Sequence, residues 1–205
     1  MAPSEQQSGL VVFDFNGTIE KNGSLYEGVV ESIEALHHSG FTMAIATQAS
    51  AIEVRRVLDR YKLSDGTPLA DVLTPIVGQE YMAEVLENGQ RDKSCPLILN
   101  RLLRETGYRR CDVLVIGDTF QDLALAEKSR TSFLYASWED PHGEQLHYVA
   151  KKGCIEGVTA ASVQAALETK IKHPHEIATA VQQHFHALDK TPPGSGLGPE
   201  TGFSR

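Results

Sequence analysis

The chain has few cysteines, a single tryptophan, a shortage of basic residues and no long apolar run. Its three cysteines, Cys95, Cys111 and Cys154, are odd in number and far apart. Neither a Cys-x-x-Cys pair nor a Cys/His zinc spacing occurs. That excludes a disulfide scaffold or a zinc finger and leaves reduced, mostly buried thiols. Lys plus Arg number 19 against 27 Asp plus Glu, a formal charge of −8. An acidic surface repels phosphate backbones, so no nucleic-acid backbone binding is expected. No stretch approaches the ~20 apolar residues of a membrane span. Met1–Gly9 has neither the basic nor the apolar region of a signal peptide. A cytoplasmic protein free of the membrane is the expectation. What is present suffices for a core: 41% of the 205 residues are hydrophobic and 22% charged, which suits one ordinary domain.

Residues 1–8 read as a flexible leader. Residues 189–205 read as a flexible tail, because Thr191–Arg205 hold four glycines and three prolines and almost no large apolar side chain. The stretch 9–188 reads as a single domain in which short apolar runs alternate with helical patterns, without internal repeats. Runs at Leu10–Asp14, Phe41–Thr47, Asp71–Val77, Cys111–Gly117 and Thr131–Tyr135 predict strands, the third weakened by Pro75. Gly153–Val158 is a candidate edge strand. Apolar faces at Val29, Ile33 and Leu36, at Ile52, Val57, Leu58 and Tyr61, at Leu97, Ile98, Leu102 and Leu103, and at Leu123, Leu125 and Ala126 predict helices. A last helical stretch covers about 160–188 and is split at Pro174. This alternation predicts an α/β fold: a doubly wound, Rossmann-like parallel sheet with helices on both faces. Ligands of such sheets sit at the carboxyl ends of the strands, which directs attention to Asp14, Thr47 and Asp118.

Four segments fall at those ends. They are Asp14-Phe15-Asn16-Gly17-Thr18-Ile19, Thr47-Gln48, Lys93 ahead of the helix at 96–107, and Gly117-Asp118-Thr119-Phe120-Gln121-Asp122. Read physically, they make a phosphate site. Asp14 and Asp118, on neighbouring strands, suit a hard cation such as Mg²⁺, which offsets the charge of phosphoryl oxygens. Asp122 shares the inner or outer shell of that metal, or caps the following helix. Thr47 hydrogen-bonds a phosphoryl oxygen, with Gln48 beside it. Lys93 supplies positive charge; its alternative is a solvated turn, Arg91-Asp92-Lys93. Gly17 lets the backbone come close, its N–H facing the developing charge.

This arrangement resembles the haloacid dehalogenase-like superfamily of Mg²⁺-dependent phosphohydrolases over about residues 10–136. The family's first motif, Asp-x-Asp-x-Thr, is met by Asp14 and Thr18, with Asn16 as a departure. Its second, a Ser or Thr after an apolar strand, is met by Thr47, and its third by Lys93. Its fourth, Gly-Asp-x-x-x-Asp, is met by Gly117, Asp118 and Asp122. The resemblance implies that Asp14 attacks phosphorus to form a phosphoaspartate. It also implies that Asn16 lends its backbone carbonyl to Mg²⁺, and that Asp118 is the second metal carboxylate.

Asn16 stands where the family usually has a second Asp. That Asp protonates the leaving oxygen and then deprotonates the attacking water. An amide donates hydrogen bonds but exchanges no proton, and acid–base assistance is worth about 10²–10⁴-fold. Binding should survive while turnover weakens. The consequences are a preference for acidic leaving groups such as acyl or aryl phosphates, a slow phosphatase with a long-lived phosphoaspartate, or a binding or regulatory module descended from an enzyme. A deliberately trapped variant is a further alternative. A carbon–halogen hydrolase is disfavoured, because that chemistry needs no metal carboxylates.

Between Asp14 and Thr47 lie 33 positions, and between Thr47 and Lys93 lie 46. Neither interval holds more than core elements and a short flap at 17–28, so no full cap domain is expected. The site is then open, which favours a larger phosphorylated substrate or a lid from a partner subunit. The helices at 160–188 either cover the edge of the sheet or dimerise the protein. The histidines His37, His38, His173, His175, His184 and His186 read as solvated or helix-end groups, since a His-x-His pair on a helix points its rings apart. Trp138 is either a core aromatic or a rim residue beside the site.

Overall fold

The computed structural model describes residues 9–85, 93–153 and 156–190. The expected leader, all but the first two residues of the tail, and Arg91 and Asp92 lie outside the described residues. β1 (Leu10–Phe13) is apolar and buried throughout, as a strand covered on both faces must be. It pairs in parallel with β4 (Thr42–Ala46) on one side and β6 (Val113–Gly117) on the other. β5 (Leu73–Val77) and β7 (Ser132–Tyr135) complete a five-stranded sheet of order β5-β4-β1-β6-β7. Pro75 lies in the edge strand β5, where the donor it lacks is least missed.

Alternation along β1 divides the core. Val11 and Phe13 face a cluster containing Ile33, Leu36, Val54, Leu58 and Phe185. Leu10 and Val12 face another containing Ile98, Leu102, Val113 and Leu125. The first face is covered by α1 (Val29–His38), α2 (Ala51–Leu58) and α9 (Ile177–Asp189), the second by α5 (Pro96–Thr106) and α6 (Phe120–Ser129). Helices on both faces of a parallel sheet are the doubly wound arrangement expected. α3 (Leu69–Val72) and α4 (Gln79–Val85) flank β5. Among the described residues, the insertion after β1 is only a small hairpin, β2 (Glu20–Lys21) and β3 (Ser24–Leu25), and no cap domain is present.

Several local expectations change. Ile52 is 70% exposed, and the buried face of α2 is Val54 and Leu58, spaced i to i+4. Leu97 points outward in the same way, leaving Ile98, Leu99 and Leu102 buried. The described part of 153–158 is turn, with Gly153 and Gly157 at positive φ, and forms no strand. The sheet is instead extended by a bridge from Ala136 to Ile171. α7 (Glu144–Lys152) has no counterpart among the helices that the apolar pattern predicts. α8 (Ala160–Glu168) packs beside β7 and α6, while α9 packs on α1. The C-terminal helices therefore cover the β7 edge and one face of the sheet. Their break at Pro174 is a single 3₁₀ turn, 174–176. His173 precedes that turn and His175 lies within it, so the two do not share an α-helix, and their rings stack at 5.3 Å and 4°. Cys95 is half-buried and Cys111 exposed, so neither is the buried thiol expected.

Candidate active site

At the end of β1 the chain must leave the sheet, and it does so at Asp14, whose N–H still donates to Ile116 O at 2.8 Å. A tight turn follows. Gly17 takes φ +83°, and a Cβ there would sit 2.3 Å from Asp118 Oδ2, so both conformation and space demand glycine. At the end of β6, Gly117 plays a similar part: a Cβ would sit 2.2 Å from Asp122 Cγ. These two glycines admit the two carboxylates that follow β6. Asp122 Oδ2 accepts from Thr119 N at 3.1 Å and Thr119 Oγ1 at 2.6 Å, closing the first turn of α6. Its other oxygen faces Lys93 Nζ at 2.5 Å. Asp122 therefore caps the helix with one oxygen and turns the other into the cluster.

Lys93 is 3% exposed and also pairs with Asp14 Oδ1, so it is no solvated turn residue. Oxygens of Asp14, Asp118 and Asp122 all lie within 4.8 Å of one another. Burial pushes the Asp14 carboxyl well above the ordinary carboxylate range; Lys93 opposes this, while Asp122 and Asp118 add to it. Burial and the charge of Asp122 likewise raise Asp118. Burial acts to lower the Lys93 ammonium, but the charges of Asp122 and Asp14 outweigh it and hold Lys93 above its usual range. One ammonium thus faces three clustered carboxylates. The surplus negative charge, with hard oxygen donors only, is the donor set that suits a divalent cation such as Mg²⁺.

In front of this cluster lies a cleft of about 130 Å³, lined by Asp14, Asn16, Thr47, Gln48, Lys93, Thr119 and Gln121. Five of the nine expected site residues meet there. Gly17, Thr18, Asp118 and Asp122 sit behind or beside it. Thr18 is fully buried and its hydroxyl donates to Asp118 Oδ1 at 2.9 Å, so it orders a carboxylate and offers no surface to a substrate. The Gly17 N–H, expected to face the developing charge, donates to Glu20 O at 2.8 Å because the turn closes back on itself. Thr47 is buried, its Oγ1 accepting from Ala49 N at 3.2 Å. Two lining residues were not singled out from the sequence, Thr119 and Gln121. Their signal was their place inside the Asp118–Asp122 segment. Gln48 Nε2 donates to Gln121 Oε1 at 3.1 Å, joining two loops at the cleft. Trp138 packs against the core and lies outside the cleft's lining, reaching the site indirectly: its indole N–H donates to Gly17 O at 2.9 Å.

Comparison with known proteins agrees with this geometry. Residues 13–136 match the family model of haloacid dehalogenase-like hydrolases. A phosphoglycolate phosphatase of Vibrio vulnificus (strain YJ016) is 26% identical over 132 residues, 64% of this chain and 52% of that protein. Another, of Photobacterium profundum, is 28% identical over 128 residues, 62% and 49% of the two chains. The chain therefore spans about half the length of the curated relatives it matches. Among solved structures, a D,D-heptose 1,7-bisphosphate phosphatase from B. bronchiseptica, in complex with magnesium and phosphate, superposes with a TM-score of 0.59. The two are 16% identical, and the match covers 86% of this chain and 99% of that one. A haloacid dehalogenase-like hydrolase family protein from Streptococcus pneumoniae gives 0.56 at 12% identity, covering 86% and 99%. At these identities the structures speak for the fold.

Proposed function

The chain belongs to the haloacid dehalogenase-like hydrolase family, and from that premise we propose that it hydrolyses phosphomonoesters through a phosphoaspartate on Asp14, with Mg²⁺ as its cofactor. The observation that carries the proposal is the cluster of three carboxylates, Asp14 and Asp122 buried and paired with Lys93 and Asp118 half-buried beside them, opening on a cleft beside Thr47. Asp14, Asp118 and Asp122 are the side chains that would hold the cation, with the backbone of Asn16. Bound there, it would neutralise phosphoryl oxygens that an acidic site otherwise repels. Asp14 attacks phosphorus, the P–O bond to the alcohol breaks, and water later cleaves the phosphoaspartate. Lys93 and Thr47 hold the phosphoryl oxygens.

Asp14 is the one carboxylate among the described residues that line the cleft. No other side chain there replaces the acid–base group missing at Asn16. Turnover is accordingly slow, or favours leaving groups that depart without a proton. The same observation supports a second reading, a catalytically weakened module that binds phosphate and metal. The names of the relatives make phosphoglycolate a first substrate to try, and the open cleft admits larger ones. A cytoplasmic setting belongs to the same proposal.

The test is phosphate release from an aryl phosphate with and without Mg²⁺, repeated with Asp14→Ala. Metal-dependent release that disappears in the variant supports the enzyme. Background rates in both proteins, with acyl phosphates tried as well, favour the binding module.

A further inference from the structure

The loop that leaves β7 reaches back to the turn after Asp14. Besides the Trp138 indole bond to Gly17 O at 2.9 Å, the indole meets the Tyr26 ring edge-on, with centroids 5.9 Å apart at 67°. Its neighbour Glu139 accepts from the Tyr26 hydroxyl at 2.6 Å and from Lys21 Nζ at 2.7 and 2.8 Å. Two consecutive residues therefore hold three points of the segment 17–26.

That segment begins inside the site. The Gly17 N–H is committed to Glu20 and its carbonyl to Trp138. A peptide unit is planar, so holding the Gly17 carbonyl orients the whole Gly17–Thr18 peptide. Thr18 in turn donates its hydroxyl to Asp118, and Asn16, on the other side of Gly17, lines the cleft. Trp138 lies beyond the stretch 13–136 that matches the family, and it does not line the cleft.

We propose that Trp138 is a positioning residue for phosphoryl transfer. It acts through the Gly17–Thr18 peptide on the Asp118 carboxylate and the Asn16 amide, whereas the exposed contacts of Glu139 hold the far part of the hairpin and stand outside this role. This rests on the reading of the site as a phosphatase. The opposite edge of the hairpin has its own anchors: Tyr61 Oη accepts from Leu25 N at 3.2 Å, and Arg60 donates to Gly23 O. Loss of the indole N–H therefore loosens the turn without freeing the hairpin.

Trp138→Phe keeps an aromatic ring and removes the donor. Replacement of Trp138 by benzothienylalanine, which puts sulfur in place of the N–H in the same ring shape, is the second variant should the first fail to fold. Both are measured below their melting temperatures. With p-nitrophenyl phosphate, kcat falls about tenfold while KM changes less than about twofold, because remote misplacement acts on the transition state. The Mg²⁺ dissociation constant measured by calorimetry rises. Amide exchange across residues 15–20 quickens about fivefold, the share of one hydrogen bond, and that across 21–26 stays near the parent value. Glu139→Gln changes kcat by less than about twofold, since its ion pair is exposed. An unchanged kcat, or a rise in KM alone, overturns the positioning role even if exchange quickens. Should the parent protein release no phosphate, the phosphatase reading fails on its own. Exchange and Mg²⁺ binding then judge Trp138: both altered upholds its hold on Asp118, and either one unchanged overturns it.

Discussion

Replacing Lys93 with Met removes the ammonium that faces three clustered carboxylates. Lys93 is 3% exposed and Asp14 6%, so the charges left behind have little water to turn to. Breaking a buried pair by deleting one partner costs about 3–5 kcal/mol, and Met refills most of the stem's volume. At about 2–4 °C per kcal/mol for a domain of this size, Tm falls by about 6–20 °C. Proton uptake limits the loss. Asp14 is already pushed upward by burial, and without Lys93 it accepts a proton instead of standing as a bare charge. A carboxyl whose folded pKa is raised contributes stability at low pH and loses it as pH rises through that pKa. The variant should therefore lie nearer its parent at pH 6 than at pH 8. Mg²⁺ at about 100 times its dissociation constant restores about 2.7 kcal/mol. Thermal unfolding at both pH values, with and without Mg²⁺, reads all of this. A Tm within about 2 °C of the parent at both pH values, with no response to Mg²⁺, would refute the view that Lys93 balances the cluster.

Gly17→Ala forces a Cβ into the Asp118 carboxylate at a positive φ. A cost of about 1–2 kcal/mol is expected from the backbone alone. Weaker Mg²⁺ binding by calorimetry is the site-specific sign, and an unchanged affinity would count against the packing of Asp118 on this turn. His184 offers a separate pH test. Burial lowers its imidazole below the ordinary 6.5, so the unfolded chain takes up the proton first. The stability it lends is full above about pH 6.5 and is lost as pH falls toward the depressed folded value. His184→Gln should lose less stability between pH 7.5 and 5.5 than the parent does in chemical denaturation, and parallel losses would contradict this.

The parts of the site that were legible in the sequence are those carried by short segments at strand ends. Asp14, Thr47 and Asp118 each follow an apolar strand, and a parallel sheet brings such ends together whatever the loops do, while Lys93 is placed by the start of α5. What escaped depends on contacts distant in sequence. Nothing near Trp138 announces Gly17, which lies 121 positions away. Thr18 sits within a motif, yet only the fold shows that Asp118 consumes its hydroxyl. The inward face of α2 is not legible in the sequence because Ile52 is as apolar as Val54, and only the neighbours decide which one is covered. α7 presents few buried residues, Leu146 and Val149, too faint a stripe for periodicity to separate from a loop.

Whether a single amide limits an otherwise complete phosphoryl-transfer site is decided most directly by the Mg²⁺-dependent kcat of Asn16→Asp against the parent protein, with an alkyl phosphate and an aryl phosphate side by side. Restoring the carboxylate should raise kcat on the alkyl phosphate by about 10²–10⁴-fold, and by less on the aryl phosphate, whose leaving group needs no proton. An Asn16→Asp protein no faster than its parent on either substrate would contradict it.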